Sequence, residues 1–177
     1  MTRTEHPLSL AGQGKADRAR PGWLWTPLGR LAADAAVGLA AGAIGTAAMT
    51  VSSTVEARLR DRKPSNVPAD AAGKVLGVEP TDEESTARFS RLVHYGYGTA
   101  WGAVRGLLAG LGLSPVPASA VHLALIWGSE QAMLPALGVA PPVTEWSAAE
   151  AAVDAGHHLV YAATTGAAYA FLDHRRR

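Results

Sequence analysis

Charged and apolar positions along this chain are segregated into blocks rather than interleaved at helical spacing. Residues 35–55 (AAVGLAAGAIGTAAMTVSSTV) carry no charge, and at about 1.5 Å per residue such a run reaches across the roughly 30 Å hydrocarbon core of a bilayer. A surface helix of a soluble protein keeps a polar face along its whole length, and this one has none. Three further low-charge stretches follow, separated by polar or Pro-bearing breaks. The pattern predicts helices at about 31–60, 81–113, 118–137 and 147–173, an all-α bundle of four transmembrane helices within residues 28–177. The competing reading is a soluble bundle of Ala-rich core helices, for which 177 residues are few to surround four apolar segments.

The breaks set the boundaries. Residues 58–80 (RLRDRKPSNVPADAAGKVLGVEP) mix charges with Pro64 and Pro68 and read as a loop in water. Thr81 with Glu84, and Ser147 with Glu150, have capping-box spacing and are expected to start the second and fourth helices. Residues 1–27 are polar and interrupted by Gly12, Gly14, Pro21 and Gly22, without the apolar centre of a cleavable signal peptide, so they read as a disordered tail. Trp23 and Trp25 stand before the first span, where aromatic rings favour the interface. Four spans put both termini on one side, and Lys and Arg near the spans lean that side toward the cytoplasm of a cell inner or plasma membrane.

Composition narrows the chemistry. The chain has no cysteine, which removes disulfides, thiolate catalysis and Cys-ligated zinc. A net charge of +1 without a basic face gives no footprint for nucleic acid, and lipid is the expected partner. No Gly-x-Ser-x-Gly elbow, His-Glu-x-x-His pair or phosphate-binding glycine loop is present, so an enzyme is disfavoured and no cofactor or metal is assigned. Gly38, Gly42 and Gly45, with Gly98, Gly102 and Gly166, form small-residue helix faces suited to close packing within the chain or in a homo-oligomer.

The polar residues left inside the apolar blocks are Glu56, His94, Glu130, Asp154, His157 and His158. Charged or titratable groups in a span are costly unless paired or wetted. The two halves read as repeated hairpins: His94, Tyr97, Gly98 and Gly102 are spaced as His158, Tyr161, Ala162 and Gly166, with Glu56 and Glu130 toward the ends of the preceding helices. That arrangement gathers the cluster in one half of the bilayer and sets Glu130 and His158 at matching depth on adjacent antiparallel helices. Arg105 is expected either to snorkel from its span or to face a partner or cavity, and His122 to be structural. Three function classes follow: proton- or ion-linked transport through Glu130 and His158, a haem on His94 and His158 or a metal held by these with Glu130 and Asp154, and a structural protein self-associating through its Gly and Ala faces.

The stretch LGVAPPVTEWSAAEAAVDAGHHLVY, with residues 56–64 after the first span, resembles the YagU-like family of small bacterial inner-membrane proteins. The positions that carry it are Leu137, Gly138, Pro141, Pro142, Glu150, His158 and Tyr161, and the doubled His157-His158 departs from a Gly-His pattern. The resemblance implies a multi-span membrane protein and supplies no reaction.

Overall fold

A computed structural model describes residues 26–63 and 65–176, and the expected N-terminal tail with Trp23 and Trp25 lies outside them. The described residues form five α-helices and one short 3-10 turn, with no strand: α1 (Pro27–Leu59), α2 (Val67–Leu76), α3 (Glu83–Gly110), α4 (Pro115–Ala136), the turn Val143–Glu145, and α5 (Ala148–Arg176). The all-helical class and the four long helices follow the apolar blocks. By length and composition, α1 is the one described helix apolar enough to cross a membrane.

Local chemistry places each boundary. Thr26 Oγ1 accepts from the Gly29 amide at 3.0 Å, and Pro27 occupies the first turn, where its missing N–H costs nothing. Helix α2 corrects the expected loop at 58–80. Pro68 lies in its first turn, and Gly77 ends it in the left-handed region at φ +66°, donating to the Gly73 carbonyl at 2.8 Å. The cap of α3 is also displaced by one residue from Thr81 and Glu84. Asp82 accepts from the Ser85 amide at 2.8 Å, and Ser85 Oγ accepts from the Asp82 amide at 3.2 Å. At α5 the expected box is present: the Ser147 amide donates to Glu150 Oε2 at 2.8 Å, and the Glu150 amide to Ser147 Oγ at 3.2 Å.

Glycines then decide how close the helices come. A Cβ added to Gly42 would lie 2.7 Å from the Gly102 Cα, and one on Gly38 would lie 2.9 Å from the Gly106 amide nitrogen, so α1 and α3 touch backbone to backbone. Gly45 fits against Thr165 and Tyr161 of α5, Gly98 against Thr46, and Gly166 against Ser119 of α4. The six glycine positions are therefore filled inside the chain, and a second copy would have to use another surface. Neighbouring long helices run antiparallel, α1 along α3 and α5, and α4 along α5 and α3, while α2 packs on α3.

The interior is small and polar. Among the described residues nine apolar side chains are buried, and six of these are alanine; Ile126, Tyr161 and Tyr169 are the others. Buried with them are Asp34, Thr46, Ser90, Arg105, His122, His158 and Thr165, while Leu39, Ile44, Val51, Leu92, Leu111, Val116, Leu125, Leu159 and Phe171 point outward.

Candidate functional site

The central polar contact joins α4 to α5. His158 is 2% exposed, and its Nε2 lies 2.8 Å from Glu130 Oε2. Its Nδ1 lies 2.9 Å from the Asp154 carbonyl one turn earlier, an acceptor with no proton to give, so Nδ1 carries a hydrogen and donates. One proton then serves the remaining contact. It rests either on Nε2, giving an imidazolium against a carboxylate, or on Glu130, giving a carboxylic acid against a neutral ring. The Asp154 carboxylate stands 3.7 Å from Nδ1 and accepts from Trp127 Nε1 at 2.8 Å, which fixes it beside the pair.

A cavity of about 30 Å³ adjoins this contact, bordered by Glu130, His158, His94, Tyr97, Thr46 and Tyr161. That volume admits a water molecule between polar partners. Tyr161 is held in place by donating to the Gly98 carbonyl at 2.6 Å. Among the described residues no group of three or more His, Asp and Glu is placed to hold a metal ion.

The doubled histidine divides its work. His157 faces α1, with Nδ1 2.9 Å from Ser52 Oγ and Nε2 3.9 Å from Glu56 Oε2. Glu56 itself is drawn outward by Arg62 at 2.5 Å and Arg60 at 3.2 Å. It therefore does not hold the place in its hairpin that Glu130 holds in the other. Glu130, Asp154, His158 and His94 come together, whereas Glu56 and His157 form a separate contact between α1 and α5.

A second polar group lies at the opposite end of the bundle and had no counterpart among the expected site residues. Asp34 is buried and pairs with Arg176, and it accepts from the Tyr169 hydroxyl at 3.2 Å. Arg105 is buried rather than snorkelling. Asp34 had a visible signal: it is a lone carboxylate set one residue before the uncharged run 35–55. His122 donates from Nε2 to the Trp101 carbonyl at 3.0 Å, tying α4 to α3. Compared with protein families, curated proteins and solved structures, the chain matches none.

Proposed function

We propose that this chain is a small integral membrane protein of four spans, both termini on the cytoplasmic side, in which Glu130 and His158 exchange a proton for transport. The observation that carries the reading is the buried 2.8 Å contact between Glu130 and His158 beside a water-sized cavity. Imidazole titrates near neutral pH, and a carboxylate sharing its proton gives two sites between which charge can move. Glu130 keeps 20% of its side chain exposed, so the pair is reachable from outside the bundle.

Supporting the membrane setting is the distribution of side chains, with Arg, Asp and His inside and Leu, Ile, Val and Phe outside. At about 1.5 Å per residue, α1, α3, α4 and α5 each exceed roughly 30 Å. Residues 155–172 of α5 contain no Asp, Glu, Lys or Arg. What lowers their hydropathy most is His157, His158, Tyr161 and Tyr169; the last three are buried and His157 faces α1. The resemblance of Leu137, Gly138, Pro141, Pro142, Glu150, His158 and Tyr161 to the YagU-like family agrees with this reading, as does the repeated spacing of His94, Tyr97 and Gly102 with His158, Tyr161 and Gly166, from which Glu56 departs.

The test is proton flux into liposomes containing the purified protein, followed with an internal pH-sensitive dye. The intact chain conducts above protein-free liposomes, and Glu130→Gln or His158→Gln abolishes the difference while insertion is unchanged. Flux equal to that of protein-free liposomes, or variants as active as the parent, contradicts the assignment.

A further inference from the structure

Arg105 sits in the bundle end away from the Glu130–His158 pair and is 1% exposed. Its Nε donates to Ser119 Oγ at 3.2 Å and its Nη2 to the Pro115 carbonyl at 3.3 Å, both long for a charged donor. The guanidinium carbon lies 4.9 Å from the Tyr169 ring centroid. Its Nη1 has no hydrogen-bond partner, and among the described residues no carboxylate stands within ion-pair distance of Arg105. A guanidinium stays charged at any physiological pH and has donors only, so a buried one with neutral partners lacks its natural complement, an anion.

Arg105 is also a wall of a groove of about 340 Å³ between α3, α4 and α5. The other polar walls are Tyr169, Asp173 and His174, and the apolar ones include Leu113, Pro115 and Ala170. Asp173 is engaged by Arg176, whose Nε and Nη2 lie 3.1 and 2.6 Å from Oδ1. Arg176 also binds Asp34, so the neighbouring charges are matched to one another and Arg105 is not among them.

We infer that this groove is a phosphate-binding site, in which the anion is held by the Arg105 guanidinium of its wall. Two sources present this phosphate chemistry, a phospholipid headgroup and free inorganic phosphate. The half-apolar lining, with Leu111, Val116 and Phe171 exposed on the same helix ends, suits a headgroup that brings an acyl chain with it.

The full-length protein in detergent provides the test. One arm measures phosphatidylglycerol retained after detergent exchange by native mass spectrometry, and the other measures binding of inorganic phosphate by calorimetric titration. Each is repeated on Arg105→Gln and on Ala170→Trp, which blocks the groove from an exposed position and leaves Arg105 intact. The intact chain binds at least one probe, and each folded variant loses about tenfold in affinity for it, the scale of one charged hydrogen bond. A response to phosphate assigns the free anion, and retained lipid without that response assigns the headgroup. No binding of either probe by the intact chain overturns the proposal, as does undiminished binding by Ala170→Trp. Should Arg105→Gln fail to fold, Ala170→Trp decides alone.

Discussion

His158 has its two ring nitrogens committed to different kinds of acceptor, a carbonyl that fixes one proton and a carboxylate that shares the other. Replacing either partner strands the other in a buried site, so Glu130→Gln and His158→Gln should each destabilise the protein by about 1–3 kcal/mol. The double variant should cost less than the sum, with a coupling of about 0.5–3 kcal/mol for groups in direct contact. Thermal or denaturant unfolding of the four proteins in one detergent measures it, and strict additivity would mean that the two side chains act separately. Depth along adjacent helices made this pairing legible, because residue counts from the intervening turn convert directly to height. Which of His157 and His158 faces which neighbour was not legible, since adjacent residues differ by about 100° in azimuth and the packing partners of α5 decide the rest. The pairing of Asp34 with Arg176 was illegible for another reason: it joins the two ends of the chain and depends on α1 lying along α5.

Helix α1 owes its position to the absence of side chains at Gly38 and Gly42. Gly42→Leu would place its Cβ 2.7 Å from the Gly102 Cα, where only backbone movement can make room. Overpacking of this kind costs about 1–3 kcal/mol or more, and detergent unfolding should show it without any change in oligomer size, because the contact is within the chain. A changed size with unchanged stability would instead place Gly42 between copies. The start of α3 gives a second expectation, since the Ser85 amide holds the Asp82 carboxyl below its ordinary value. A lowered folded-state pKa means that the contribution is present above the unfolded carboxylate range and fades as pH falls through the folded value. The melting difference between the parent and Asp82→Ala should therefore be largest near neutrality and shrink in acid, and a pH-independent difference would contradict the cap. Apolar blocks announced the long helices because an uncharged run of span length has few alternatives. Helix α2 escaped because Asp70, Lys74 and two prolines look like a loop by composition, although Pro68 and Gly77 stand where helix starts and stops favour them.

For the whole molecule, the decisive feature is a small interior of alanine and a few polar groups beneath exposed Leu, Ile, Val and Phe. A core whose buried apolar residues are mostly alanine removes little apolar surface from water, while buried Arg105, Asp34 and His158 would each draw solvent in. The proposed membrane setting would meet both difficulties, since outward Leu, Ile, Val and Phe would then face lipid and interior polar contacts between helices would each contribute about 0.6–2 kcal/mol. By length and composition α1 alone among the described helices passes as a membrane span, so the spanning of α3, α4 and α5 belongs to the proposal. The most direct measurement is the topology of the intact chain in cells, with reporters fused at Met1 and at Arg177 and the membranes washed at alkaline pH. The account predicts that the protein stays with the membrane and that both reporters lie on the cytoplasmic face; release into the soluble fraction, or reporters on opposite faces, would contradict it.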